Sequence, residues 1–228
     1  MIDFHSHVLP QVDDGSQSIE ESCLMLKSLL EQGVDTVLAT PHFYANSDSV
    51  ASFLERRSAA YEVLKEETAD APKLLPGAEV RYYEGISRLE GLKDLRVENT
   101  DLLLLEMPMA KWSEYTVNEL LAISRAKEYK PVLAHIERCF DFQGDGVWQS
   151  LLENDLMFQV NASFFLSPIT RRKALRLLKK GFVHFLGSDC HDMETRPPRI
   201  GPAYKLLEKK LDADLFRRFV EFGYNFVR

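Results

Sequence analysis

A chain of 228 residues that is 45% apolar can bury one substantial core, so a single domain over residues 1–228 is expected. The formal net charge of −7 argues against a sequence-blind nucleic-acid binder, which needs a basic face to displace counterions. Three cysteines without a CxxC pair argue against a disulfide framework, and the longest aliphatic run, Leu102–Leu105, is too short to cross a bilayer; a cytoplasmic protein without membrane insertion is expected.

Short β-type runs alternate with helical stretches along the whole chain. Ile2–His5 reads as the first strand, followed by a helix over Ser18–Gln32 that opens with the capping box Ser18-x-x-Glu21 and stops at Gly33. Thr36–Thr40, Leu74–Val80 and Leu102–Met107 read as strands, with a helix over Val50–Thr68 between the first two. The pattern continues with helix Glu114–Glu128, strand Pro131–His135, helix Val147–Glu153, strand Met157–Asn161, helix Pro168–Lys179 and strand Val183–Gly187. Helices over Ala203–Lys210 and Asp212–Phe222 follow, the last with Gly223 as its stop. Such alternation predicts an α/β fold of parallel strands joined by helical crossovers, either a barrel or a doubly wound sheet.

His5, His42, Glu79, Glu106, His135 and Asp189 each fall at or just beyond the end of a different strand run. A parallel barrel gathers such positions on one rim, and a doubly wound sheet gathers fewer, so the barrel is favoured. His5-x-His7 puts two imidazoles on one side of the chain. Glu79 and Glu106 follow apolar runs, where a lone carboxylate is costly unless a salt bridge or a metal satisfies it. His184, flanked by Val183 and Phe185, is expected to be structural. His5, His7, Asp14, His42, Glu79, Glu106, His135, Asp189 and His191 offer too many N and O ligands for one cation and suit two or three. Mixed imidazole and carboxylate ligation suits Mn²⁺, Fe²⁺ or Zn²⁺.

The ordered motifs HxH, DDG, TPH, GAE, LLLEMP, HIER and SDxH resemble the polymerase-and-histidinol-phosphatase (PHP) superfamily. Within it, His5-Ser6-His7-Val8-Leu9-Pro10, Asp13-Asp14-Gly15 and His135-Ile136-Glu137-Arg138 are similar to the bacterial manganese-dependent protein-tyrosine phosphatases of capsule and exopolysaccharide loci. The resemblance implies a distorted (β/α)7 TIM-like barrel with three divalent metal ions, Mn²⁺ first. It also implies the ligand sets: His5, His7, Asp189 and bridging Glu79; Glu79, Glu106 and His135; Asp14, His42 and His191. The implied substrate is the phosphotyrosine tail of a cognate bacterial tyrosine kinase, through which capsular polysaccharide synthesis is controlled. Cys139 and Cys190 stand where the family usually has Tyr and Ala.

On this reading, water activated between cations attacks phosphorus in line, with no covalent phospho-enzyme. Arg138 and Arg196 are expected to grip the phosphate, and Asp192 or a metal-bound water to serve as general acid. Three rivals remain. Cys190 and Arg196 form a C-x5-R spacing that suits a thiolate phosphatase, although acids and no glycine lie between them. The barrel could instead act on a small molecule such as histidinol phosphate, or its metals could only order the loops of a binding module.

Overall fold

The structure, a computed structural model, describes residues 1–68 and 71–227; residues 69, 70 and 228 of the expected domain lie outside the described residues. The first half of the chain contributes β1 (Ile2–Ser6), α1 (Ile19–Glu31), β2 (Thr36–Ala39), β3 (His42–Phe43), α2 (Val50–Glu67), β4 (Lys73–Pro76), β5 (Glu79–Arg81) and β6 (Leu102–Glu106). The second half adds α3 (Glu114–Arg125), β7 (Lys130–Leu133), α4 (Asp145–Glu153), β8 (Met157–Asn161), α5 (Ala162–Leu166), α6 (Arg171–Lys179), β9 (Phe185–Gly187), α7 (Ile200–Lys210) and α8 (Ala213–Val227). Among the described residues no helix is long and apolar enough to cross a membrane.

All strand pairings are parallel, in the orders β1-β2-β4 and β3-β5-β6-β7-β8-β9. The two groups are not independent. β3 resumes the course of β2 beyond Pro41, and β5 resumes that of β4 beyond Gly77-Ala78, so the expected strand Leu74–Val80 is broken in two. Across these breaks the Gly77 N–H donates to the Ala39 carbonyl at 2.8 Å and the Glu79 N–H to the Pro41 carbonyl at 3.0 Å. A single parallel bridge joins Ser6 to Cys190, beyond the end of β9, with the His7 N–H on the Cys190 carbonyl at 2.9 Å. The result is a curled parallel α/β layer.

Alternation divides each strand between two cores. Leu103 and Leu105 of β6 join the outer core with Leu120 and Ile123 of α3, while Leu102 and Leu104 join an inner cluster with Ile2, Phe4, Val132, Met157 and Phe185. Each such fully buried side chain contributes about 1.5–3 kcal/mol of hydrophobic stabilisation. The inner cluster is covered by α8, whose Phe222 and Phe226 pack on it and whose Val227 belongs to it.

This packing corrects the reading of Gly223 as a helix stop. The glycine lies inside α8, and a Cβ there would sit 2.9 Å from Phe4 Cε2, so its missing side chain lets the helix reach the inner cluster. The expected helix Pro168–Lys179 is also revised. A short α5 starts directly at the end of β8, and Arg171 donates to the carbonyls of Phe165 and Leu166 at 3.1 and 2.8 Å, which ends α5 and opens α6. The capping box is half made: Ser18 Oγ accepts the Glu21 N–H at 3.2 Å, but the Glu21 carboxylate accepts from the Gln17 N–H instead of Ser18.

β9 is shorter than expected because a side chain replaces the ladder at its start. His184 Nδ1 accepts the Phe158 N–H at 3.0 Å, while the His184 N–H donates to the Phe158 carbonyl at 2.9 Å. That bond requires a neutral ring, and burial pushes the His184 pKa down to about 4. Its stabilising contribution is therefore complete above the unfolded-state value near 6.5 and is lost as pH falls from there to about 4. Thermal melts in EDTA should show a smaller loss of Tm over this window for His184→Asn than for the parent chain. Parallel curves would contradict the assignment.

Candidate metal centre

The strand ends converge on Glu79. This carboxylate is fully buried in β5, with His135 Nε2 at 2.7 Å from Oε1, and His42 Nδ1, His5 Nε2 and His7 Nε2 at 2.9, 3.2 and 3.4 Å from Oε2. Asp189 forms a second focus: its Oδ1 lies 3.7 Å from His5 Nε2, 3.5 Å from His7 Nε2 and 3.8 Å from His191 Nδ1. Glu106 stands 3.9 Å from His135 at the end of β6, and Asp14 lies 3.6 and 3.7 Å from His42 and His191 at the exposed margin. All nine residues expected as ligands thus surround one site. Beside it opens a cleft of about 490 Å³ lined by Asp13, Asp14, His42, Tyr44 and Arg56.

Two members are held in backbone conformations that side-chain-bearing residues avoid. His135 has φ +30° and Asp189 φ +53°, each just past the end of a strand. Such strain costs on the order of 1–3 kcal/mol per residue and persists where surrounding structure enforces it. Gly187 matters for a different reason: a Cβ there would lie 2.5 Å from His5 Cβ and 2.7 Å from Gln159 Nε2, so only glycine lets β9 approach β1 and β8 at this level.

The donor chemistry fits divalent cations. His5 Nδ1 donates to Gln159 Oε1 at 3.1 Å, His7 Nδ1 to Asp13 Oδ2 at 2.6 Å, and His191 Nδ1 to the Asp189 carbonyl at 3.1 Å. Each acceptor is an oxygen, so the proton sits on Nδ1 and Nε2 keeps its lone pair for ligation. His5 Nε2 and His7 Nε2 face each other at 3.0 Å, an arrangement of two acceptors that a shared cation relieves. Buried His42 Nδ1 and Glu79 Oε2 approach each other without hydrogen-bond geometry, and buried His191 Nε2 has no hydrogen-bond partner. Among the described residues, four overlapping groups offer ligand atoms within 4.8 Å of one another: His7, Asp14, His42, His191; His5, His7, Asp189; His5, Glu79, His135; and His42, Glu79, Glu106.

The electrostatics point the same way. Burial opposes ionisation of Glu79, yet the charge of His5 and the hydrogen bond from His135 hold it well below the usual carboxylate range. Asp189 is likewise held low against burial by His5, His7 and Arg138. Burial works against protonation of His7, but its hydrogen bond to Asp13 carries it well above the ordinary imidazole value, so without a cation a proton takes the place on Nε2 that ligation needs. The cluster demands positive charge at its centre.

Sequence reasoning missed the residues that hold the ligands in place. Asp13 fixes His7 and also accepts the His42 N–H at 2.8 Å and the Gly15 N–H at 2.9 Å, which, with burial opposing, keeps it near pKa 2. Gln159 Oε1 serves both His5 and the His135 N–H at 2.7 Å, and Asn161 donates to Asp189 Oδ2 at 2.7 Å. Their signal was present: Gln159 and Asn161 sit at alternate positions of a fully buried strand, opposite in phase to Phe158 and Val160.

Arg138 and Arg196 meet on Asp189, with Nη2 of Arg138 2.5 Å from Oδ2 and Nη2 of Arg196 2.8 Å from Oδ1. Asp192 departs from its expected role as general acid. It accepts the Glu194 N–H at 2.6 Å, the Arg196 N–H at 3.1 Å and the Thr195 hydroxyl at 2.5 Å, so its carboxyl is held near pKa 2 despite desolvation and carries no proton to donate at neutral pH. Cys190 is fully buried, and burial together with Asp3 and Asp189 pushes its thiol far above the range where a thiolate forms. The C-x5-R spacing is not a thiolate phosphatase loop.

Over residues 1–222 the sequence matches the family described as capsular polysaccharide synthesis, CpsB/CapC. The tyrosine-protein phosphatase YwqE of Bacillus subtilis is 30% identical over 94% of this chain and 87% of its own. A crystal structure from work on YwqE of Bacillus subtilis and CpsB of Streptococcus pneumoniae, metal-dependent tyrosine phosphatases, superposes with a TM-score of 0.83 at 27% identity, covering 97% of this chain and 92% of that one. Histidinol phosphate phosphatase of Lactococcus lactis, solved with zinc, L-histidinol and phosphate, shares the fold at TM-score 0.57 and 14% identity over 96% of this chain and 93% of its own. The chain belongs to the CpsB/CapC family of capsular polysaccharide synthesis proteins.

Two substitutions test the centre. Asp13→Asn should weaken activating metal by about 10–100-fold, read as a rightward shift in the Mn²⁺ dependence of turnover, because His7 loses the anion that orients it. Cys190→Ser should leave turnover near normal with metal bound, whereas abolition with metal still bound would restore the thiolate reading.

Proposed function

We propose that this chain is a metal-dependent tyrosine-protein phosphatase that hydrolyses phosphotyrosine on the tail of a cognate bacterial tyrosine kinase, and so acts in capsular or exopolysaccharide synthesis. The observation that carries it is the coupling of two features: facing imidazole nitrogens at 3.0 Å beneath two arginines that converge on Asp189. Three divalent cations, Mn²⁺ first, would be held by His5, His7, Asp189 and Glu79, by Glu79, Glu106 and His135, and by Asp14, His42 and His191. Bound there, they would supply Lewis-acid neutralisation of phosphoryl charge and a water acidic enough to attack at neutral pH. The seven strand courses would form a distorted (β/α)7 barrel in one domain, a reading supported by the Ser6–Cys190 bridge.

The protein's own groups do the positioning. Arg138 and Arg196 each use one guanidinium nitrogen on Asp189, which leaves donors on a planar fork for the phosphoryl oxygens. Gln159 and Asp13 fix the imidazole tautomers, so the ligand lone pairs are set before substrate arrives. With Asp192 ionised, no side chain stands out as general acid; tyrosinate, with a pKa near 10, leaves without strong assistance.

The surroundings favour a side chain presented by a protein over an enclosed small molecule. Tyr44 lines the cleft beside the centre and also a second cavity of about 450 Å³ with Arg81, Tyr83 and Leu89, while Arg81 pairs with Glu106 at 3.0 Å. Tyr44 and Tyr83 are 37% and 38% exposed, an open aromatic margin suited to peptide. With Mn²⁺, a phosphotyrosine peptide should be turned over with a higher kcat/KM than histidinol phosphate, EDTA should abolish both, and Arg138→Ala should cost about 100-fold on the peptide. A preference for histidinol phosphate would overturn the substrate assignment, and undiminished turnover in EDTA would overturn the metal chemistry.

A further inference from the structure

Between Asp155 and Asp189 the sequence contains no acidic residue, yet Arg171–Lys180 supplies six cations in a chain whose net charge is −7. Most of that charge lies on α6. Its buried positions, Ala174, Leu177 and Leu178, face the outer core, and Arg172, Arg176, Lys179 and Lys180 are exposed at spacings that place them on one helix face. Among the described residues none of these four is in an ion pair. The turn Phe140–Phe142 and the start of α4 bring Asp141 and Asp145 to a cavity of about 620 Å³ shared with Lys173, Arg176 and Lys180, but Asp141 is engaged by Lys173 at 2.5 Å.

The turn leading into α6 carries a second signal. Ile169 is 92% exposed, and the Arg171 N–H donates to the Ser167 carbonyl at 2.9 Å, so the turn is already helical in course. Ile169, Arg172 and Arg176 therefore follow one row at spacings of three and four. An apolar tip continuous with a cationic face is the pairing by which amphipathic surfaces hold a bilayer interface. Nucleic acid fits less well, because the exposed side chains of α6 include no aromatic ring on which a base could stack. An acidic peptide fits less well, because the cavity that runs beside Arg176 and Lys180 is also lined by Asp141 and Asp145, whose carboxylates repel it.

We propose that the face Arg172, Arg176, Lys179 and Lys180, with Ile169 at its end, docks the protein on an anionic phospholipid surface. β8 ends at Asn161, which touches Asp189, and leads through α5 directly to Ile169, so docking keeps the metal centre near the bilayer.

Co-sedimentation of the Mn²⁺-loaded protein with vesicles decides the matter. Binding to phosphatidylcholine vesicles containing phosphatidylglycerol, absence of binding to phosphatidylcholine alone, and weakening with salt are expected. Arg172→Glu with Lys179→Glu should reduce binding about tenfold or more, and the milder Arg172→Gln with Lys179→Gln should reduce it by less. Ile169→Ser should weaken binding while preserving its salt dependence. Turnover of p-nitrophenyl phosphate in solution should be unchanged in all three, which shows that they fold. Failure of the parent chain to bind anionic vesicles at low salt, equal binding by parent and charge variants, or retention by an acidic peptide or heparin without vesicle binding would each overturn the proposal.

Discussion

A carboxylate taken wholly out of water must be met by positive charge, and Glu79 is such a carboxylate. Four imidazoles reach it, from β1, from the residue following β1, from β3 and from the end of β7. Bringing those four together requires strands distant in sequence to run side by side with their C-terminal ends level, which a curled parallel layer achieves. The arrangement of strands and the composition of the centre are two descriptions of one electrostatic requirement.

Below that polar level the same strands turn apolar. Leu102 and Leu104 lie beneath Glu106, Met157 lies beneath Gln159 and Asn161, and Phe185 lies beneath Gly187, so a period of two carries each strand from inner cluster to polar level. Well-packed hydrocarbon gives the polar level a firm floor, and residues whose rings and amides are hydrogen-bonded to one another sit on it with little freedom. The left-handed backbone at His135 and Asp189 shows how far packing dictates their positions. Ligand geometry is thus set by protein contacts as well as by any cation.

Much of this was legible in the residues. The strand-end positions of His5, His42, Glu79, Glu106, His135 and Asp189 follow from where apolar runs stop, and His184 stood apart because it lay inside such a run. What escaped depends on contacts between distant segments. Gly223 looks like a terminator by propensity, but tertiary packing against Phe4 overrides it. Asp192 has the right residue type for proton donation, and only the folding of the Glu194–Arg196 backbone onto its oxygens reveals that its carboxyl is held below the usual range. Gln159 and Asn161 were readable in principle, since amides in a buried strand need partners, but the partners are named by the register of β8 against β7 and β9.

The segment that covers the inner cluster, α8, is encoded after every strand it covers. During synthesis on a ribosome, Ile2 and Phe4 emerge first and wait for residues 213–227 before their aromatic and aliphatic surfaces are covered. Until α8 emerges, the apolar floor beneath the imidazoles has no helix to cover it. A chain halted before residue 213 therefore leaves Ile2, Phe4 and Phe185 open to water, the condition in which apolar surface favours aggregation.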